Sequence, residues 1–194
     1  DLWFQFSRQL TLSHYSIQVQ CFLLPRQDPQ YLKLVLKFYP PLEFFQNNPF
    51  LLPQLVQYVI AEANSKVCSV LVDAYCGGGL FGLSAASQFD RVIGIEISRE
   101  GFEGARTNAL LNKIDNAEFF LGDAISIFSE LGQENEPCAL IIDPPRKGCD
   151  PDFIDQTLAF RPQRIVYVSC DPATQARDAK LLLNGGYRIS QIQP

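Results

Sequence analysis

The sequence predicts an α/β fold built on a doubly wound, mostly parallel sheet. Two observations carry this expectation. From Val67 onward, short apolar runs alternate with segments of helical spacing, the pattern of repeated strand–helix–strand units. Three of those runs end in a polar or glycine-rich break. Val70-Leu71-Val72-Asp73 leads into Ala74-Tyr75-Cys76-Gly77-Gly78-Gly79, Ile141-Ile142 into Asp143-Pro144-Pro145-Arg146, and Ile165-Val166-Tyr167-Val168 into Ser169-Cys170-Asp171-Pro172. Strand ends of this kind line the ligand crevice of an open α/β sheet.

Each element follows from local pattern. Residues 1–43 read as a β-rich lead-in. Ser16–Phe22 and Leu32–Phe38 alternate with period two, and Pro25, Asp28 and Pro29 punctuate them. A helix is expected over 49–64, with apolar residues at Leu51, Leu52, Leu55, Val56, Val59 and Ile60. Strands follow at about 67–73, 91–96, 117–121, 138–142 and 164–169. Helices at about 80–88, 98–112, 123–131, 151–160 and 173–184 alternate with them. A sixth strand is expected from Tyr187. The chain opens on Asp1-Leu2-Trp3-Phe4, contains no methionine and stops at Pro194. Both ends therefore read as cut, with a lead-in over 1–43 and a C-terminally incomplete catalytic domain over 44–194.

Composition narrows the function classes. The 194 residues suit one domain, and 47% hydrophobic content supports a sizeable core. No apolar run approaches the ~20 residues needed to span a bilayer, and no signal-peptide pattern opens the chain. Six cysteines stand at Cys21, Cys68, Cys76, Cys138, Cys149 and Cys170, with no CxxC and a single histidine, His14. Zinc and iron–sulfur sites lack their ligand spacing, so no metal is expected. Irregular cysteines in an α/β pattern fit reduced thiols, hence a cytoplasmic or nuclear setting, with the mitochondrion left open. A net charge of −5 argues against a generally basic nucleic-acid binder. Arg146, Lys147, Arg161, Arg164, Arg177 and Lys180 nevertheless concentrate in the last third.

The breaks after the strands carry the chemistry. Gly77-Gly78-Gly79 between strand and helix lets a ligand approach the backbone, and a tight turn explains the same loop without any ligand. Glu96 ends the next strand, 19 residues after Gly77, where a carboxylate accepts both hydroxyls of a ribose. Asp73 suits the cationic end of S-adenosylmethionine better than a pyrophosphate. Asp123 either contacts an adenine amino group or caps the following helix. Asp143 and the prolines after it make a rigid rim for a planar group, and Arg146 pairs with a phosphate or carbonyl. Cys170 is placed as a nucleophile. With no histidine near, its thiolate needs Arg146, Arg177 or the N-terminus of helix 173–184, because free cysteine titrates at ~8.5.

These motifs resemble those of the RNA uracil-5-methyltransferases. The resemblance lies in Phe44-Phe45-Gln46-Asn47-Asn48, Asp73–Phe81, Gly94-Ile95-Glu96, Asp143-Pro144-Pro145-Arg146-Lys147-Gly148 and Val168–Asp178. It covers about 44–194 and looks most like the branch that makes 5-methyluridine in tRNA, in its fungal form. It implies a Rossmann-like class I methyltransferase domain using S-adenosylmethionine, with tRNA as partner. It implies cofactor contacts from Gln46, Tyr75, Gly77, Gly79, Glu96, Asp123 and Asp143. Gln46, Asp143 and Arg146 would contact the target base, and Cys170 would be the nucleophile. Leu80 stands where the family often has asparagine. The family's catalytic glutamate falls beyond Pro194, so this chain alone is expected to bind the donor without turning over. The cluster cysteines of the rRNA branch are missing, which favours tRNA. Two rivals remain: an amino-group methyltransferase, which needs no thiol, and a non-catalytic cofactor- or RNA-binding module.

Overall fold

The computed structural model describes residues 7–12, 15–20, 22–24, 33–35, 51–126 and 136–194. The early strands pair in two separate antiparallel ribbons, β1 (Ser7–Leu12) with β2 (Tyr15–Gln20) and β3 (Phe22–Leu24) with β4 (Lys33–Val35). The expected strand 16–22 is thus β2 and β3, and the expected strand 32–38 contributes only β4.

The rest is a three-layer α/β body. Helix α1 (Leu52–Ala63) precedes β5 (Val70–Ala74), α2 (Leu80–Ala85) and β6 (Arg91–Glu96). Then come α3 (Arg99–Leu111), β7 (Ala117–Leu121), β8 (Cys138–Ile142), α4 (Pro151–Phe160), β9 (Arg164–Tyr167) and α5 (Pro172–Asn184). The sheet runs β7-β6-β5-β8-β9, and every neighbouring pair is parallel. Central strands β5 and β8 are buried along their whole length. That is why they read as unbroken apolar runs rather than alternating ones.

Helices cover both faces. On one, Leu52, Val56, Val59 and Ile60 of α1 and Phe81 of α2 pack against Leu71, Val92 and Ile141. On the other, Phe153 and Ile154 of α4 and Leu182 of α5 pack against Val72, Ile93, Leu140 and Ile142. Local chemistry sets the starts of the helices. Ser98 accepts from the Gly101 N–H, Asp150 from Asp152, and Asp171 from Ala173 and Thr174. Pro151 and Pro172 occupy first-turn positions whose N–H has no partner in any helix.

Three expectations are corrected. The helix 80–88 breaks into α2 and a 3-10 turn at Ala86–Gln88. The helix 123–131 begins as a 3-10 turn at Ala124–Ser126, and 127–135 lie outside the described residues. No strand forms after Tyr187. Its hydroxyl donates to the Pro162 carbonyl at 2.8 Å, at the entrance to β9, and residues 188–194 are exposed without a ladder partner. Alternation alone does not make a strand where no neighbour supplies hydrogen bonds.

Register places the functional rim. Ala74 lies level with Ile95 and with Ile142, and Ile142 with Tyr167. The residues that follow these strands therefore emerge together at one end of the sheet. The chain builds outward from β5 through β6 to β7, then crosses back to β8 and β9 on the other side of β5, so the rim between β5 and β8 is the topological switch point.

Candidate active site

The glycine loop is built from left-handed residues. Tyr75, Gly77 and Gly79 have φ of 64°, 50° and 80°. The two glycines serve differently. A Cβ on Gly77 would meet nothing within 4 Å, so this face is open to a ligand. A Cβ on Gly79 would lie 2.8 Å from the Leu83 side chain, so Gly79 lets the loop turn tightly into α2.

The N–H groups of Gly77 and Gly79 are engaged internally. Gly77 donates to Glu96 Oε2 at 2.8 Å and Gly79 to the Cys76 carbonyl at 2.8 Å. Asn108, fully buried on α3, donates to the Gly78 carbonyl at 2.9 Å. With two of its three glycine N–H groups committed, the loop is poorly suited to a phosphate cradle of the P-loop kind, which needs several convergent free N–H groups. Glu96 also accepts from Ser98 N at 2.7 Å, so one half-buried carboxylate ties the loop to the end of β6. Each oxygen keeps a further lone pair, the requirement for gripping a ribose diol.

Asp73 supports the start of α2. It is 1% exposed, and its Oδ2 accepts from Gly82 N at 2.7 Å in the first turn of α2. Its carboxylate holds the helix against β5. Asp123 is exposed and accepts from Ile125 N at 3.1 Å, so the capping role is present. The Tyr75 and Phe153 rings meet in a T-shaped contact, with centroids 5.5 Å apart. Gln46 lies outside the described residues.

Across the switch point, Asp143 is half-buried. Burial pushes its carboxyl up to about 6 from the ordinary 3.8. The loop from Pro144 to Cys149 turns at Gly148, whose φ is 77°. Next to it Cys170 leaves the end of β9. Of the five described cysteines, Cys68, Cys76, Cys138 and Cys149 are buried and Cys170 alone is exposed. Burial pushes the Cys138 and Cys149 thiols up to about 12, so neither ionises near neutrality.

Two of the three expected supports for a Cys170 thiolate are already occupied. Arg177 binds Asp178 at 2.7 Å and donates to the carbonyls of Lys147 and Cys149. The first N–H groups of α5 are capped by Asp171. Arg146 is exposed, and its guanidinium has no partner among the described residues. Sequence reasoning missed Asp178, Tyr167 and Cys149, which join beneath the rim. The available signal was the spacing of Thr174, Arg177 and Asp178, which puts all three on one helix face.

Among the described residues, no cluster of acidic, histidine or cysteine side chains could hold a metal ion, and no helix is long and apolar enough to cross a membrane.

Comparison with known proteins gives a consistent picture. The profile of a family described as tRNA (Uracil-5-)-methyltransferase matches residues 36–193. The tRNA (uracil(54)-C(5))-methyltransferase of Schizosaccharomyces pombe is 40% identical over 166 residues, 80% of this chain and 32% of that protein. An uncharacterized RNA methyltransferase of Oceanobacillus iheyensis is 41% identical over 155 residues, 79% of this chain and 34% of that one. A fungal and a bacterial relative thus match equally well. The crystal structure of Pyrococcus abyssi tRNA (uracil-54, C5)-methyltransferase with S-adenosyl-L-homocysteine superposes with a TM-score of 0.69 at 32% identity. It covers 83% of this chain and 38% of that one. The chain spans about a third of the length of these relatives.

Proposed function

The chain belongs to the tRNA (uracil-5-)-methyltransferase family, and on that premise we propose that the natural-length protein methylates carbon-5 of a T-loop uridine in tRNA. S-adenosylmethionine supplies the methyl group. The observation that carries the reading is Cys170, the exposed thiol among four buried ones, on the same rim as Asp143 and the Gly77 face.

The residues divide the work. Glu96 takes the ribose hydroxyls of the donor and Asp123 its adenine edge. Tyr75, Gly77 and Gly79 form the floor, and Asp143 faces both donor and base. Gln46 is assigned with Asp143 to the donor and the base, by family resemblance. Arg146 holds a uracil carbonyl or a neighbouring phosphate.

Carbon-5 of uracil is a weak nucleophile. The Cys170 thiolate adds to carbon-6, and the π electrons of the carbon-5–carbon-6 bond move into an enolate. Carbon-5 then bonds to the methyl carbon, whose old bonding pair stays on the departing sulfur. Loss of the carbon-5 proton to a base restores the double bond and expels the thiolate. Covalent catalysis thereby replaces one hard step with easier ones. The base must leave the helical stack to reach the thiol. Buried thiols with strongly raised pKa values could not start this sequence. The reading carries a cytoplasmic or nuclear location, because the thiol must stay reduced.

The test is mass spectrometry of the protein with tRNA containing 5-fluorouridine and the methyl donor. Fluorine cannot leave carbon-5 as a proton does, so a methylated adduct on the Cys170 peptide is expected. Methylation of an exocyclic amine without any adduct would establish the amino-group alternative. Donor binding without transfer would leave a binding module.

A further inference from the structure

Asp178 is a charged residue with only 1% exposure, and it sits beneath the rim rather than at the mouth of the crevice. Its Oδ2 accepts from the Cys149 N–H at 2.8 Å and from the Tyr167 hydroxyl at 2.7 Å. Its Oδ1 accepts from Arg177 Nε at 2.8 Å and pairs with Nη2 at 2.7 Å. Arg177 Nη2 also donates to the carbonyls of Lys147 at 3.0 Å and Cys149 at 3.1 Å. One turn earlier, the Thr174 hydroxyl donates to the Arg146 carbonyl at 3.1 Å. One face of α5 therefore grips the backbone of residues 146, 147 and 149.

The grip extends to the end of β9. Tyr167 ends β9, three residues before Cys170. The Cys149 thiol lies 3.7 Å from the Tyr167 hydroxyl. Gly148 makes the contact possible. A Cβ there would fall 2.6 Å from Arg177 Nη2, 2.6 Å from Asp178 Oδ2 and 3.1 Å from Thr174 Cβ. A buried ion pair is a weak source of stability, since desolvation offsets most of its attraction. What this one supplies is geometry: a charged anchor on α5 with directional bonds to the backbone of residues 147–149 and to Tyr167 at the end of β9.

We propose that Arg177 and Asp178 are positioning residues that set the Asp143–Gly148 loop against Cys170. This rests on the uridine methylation reading above. Neither side chain needs to touch substrate. Their effect runs through the placement of Asp143 and Arg146, and misplacing reacting groups by 1 Å can lower a rate by about 100-fold.

The test uses the protein and the variants Arg177→Ala, Arg177→Lys and Asp178→Asn. The Arg177 side chain is 52% exposed, so its variants are expected to fold. Four quantities are read: kcat, KM for tRNA, Kd for S-adenosylhomocysteine, and the single-turnover rate of Cys170 adduct formation with 5-fluorouridine tRNA. In Arg177→Ala, kcat and the adduct rate should fall about tenfold or more, with KM and Kd within about threefold, as expected for groups displaced from their working positions. Arg177→Lys, which keeps a cation beside Asp178, should recover most of the loss. Asp178→Asn should behave like Arg177→Ala where it folds. If wild type forms the adduct and Arg177→Ala forms it equally fast, the positioning proposal is wrong and the methylation reading stands. Equal losses in Arg177→Ala and Arg177→Lys that track the folded fraction would also overturn it, by reducing the pair to scaffold. If wild type forms no adduct, the methylation reading fails and the positioning proposal falls with it.

Discussion

Replacing Asp143 by asparagine should stabilise the protein above pH 6 while weakening its grip on the methyl donor. Burial holds the Asp143 carboxyl at about 6, against an ordinary 3.8. Between those two values the folded state keeps a proton that the unfolded chain has released. Folding stability is therefore greatest, as far as this group is concerned, below pH 4, and falls as pH rises through 6. At about 1.4 kcal/mol per tenfold, the rise corresponds to about 3 kcal/mol for a fully developed charge. Water reaches the half-buried group and reduces this to about 1–2 kcal/mol. Asparagine keeps the shape and removes the charge. Its melting temperature should exceed wild type by roughly 2–8 °C at pH 7.5, and the two should coincide near pH 4. Other carboxylates titrate in both proteins and cancel in the difference. In calorimetry, affinity of wild type for S-adenosylmethionine, which carries a positive sulfonium, should rise as pH passes through 6. Asp143→Asn should lose that rise. An Asp143→Asn protein whose advantage is the same at pH 4 and pH 7.5 would refute the reasoning, because a buried charge cannot then be the cause.

Further outcomes follow from the same geometry. Cys170→Ala should abolish methylation and the fluorouridine adduct while donor affinity stays within a few-fold, measured by tritium transfer and calorimetry. Glu96→Ala should weaken S-adenosylhomocysteine binding by about 1–3 kcal/mol, as for a lost bond to a charged group, and should loosen the loop, since Gly77 N and Ser98 N lose their acceptor. Unchanged affinity would remove Glu96 from the donor site. Brief treatment of the folded protein with iodoacetamide, followed by peptide mapping, should modify Cys170 well ahead of Cys68, Cys76, Cys138 and Cys149.

The parts legible in the sequence are those fixed by neighbours along the chain. Val70-Leu71-Val72 and Ala139-Leu140-Ile141-Ile142 announce central strands because both faces of such strands are covered. Asp150-Pro151 and Asp171-Pro172 announce helix starts because cap and first-turn chemistry are local. What stayed hidden depends on distant partners. The alternation after Tyr187 looks like a strand, yet among the described residues β9 has a neighbour on one side only. Asp73 looks like a ligand contact, and its bond to the amide of Gly82 is visible only once α2 folds back over β5. The polar face of α5 shows its helical spacing, but its targets lie 28 to 30 residues upstream. Covalent neighbours therefore disclosed the elements, and tertiary contacts decided which polar residues face the crevice.

That division also explains why the crevice can be recognised without an occupant. A folded rim normally satisfies its own polar groups, since each one buried without a partner carries a penalty. Here several candidate groups are engaged by the fold itself. Asp73 holds α2, Asp171 caps α5, Arg177 and Asp178 grip residues 146–149, and Glu96 bridges Gly77 and Ser98. After those bonds are assigned, the groups left on the crevice side include the half-buried Asp143 carboxyl, the Arg146 guanidinium, the Cys170 thiol and the uncovered face of Gly77. They are an acid, a cation, a nucleophile and a bare stretch of backbone. An acid held near neutrality responds to a cationic donor, a guanidinium to a carbonyl or phosphate, and an accessible thiol to an electrophilic carbon. A pyrophosphate-binding site would instead have left N–H groups open, and here Gly77 and Gly79 have both closed theirs. The chemistry of these groups is thus compatible with the nucleoside methyl donor and the pyrimidine acceptor proposed above.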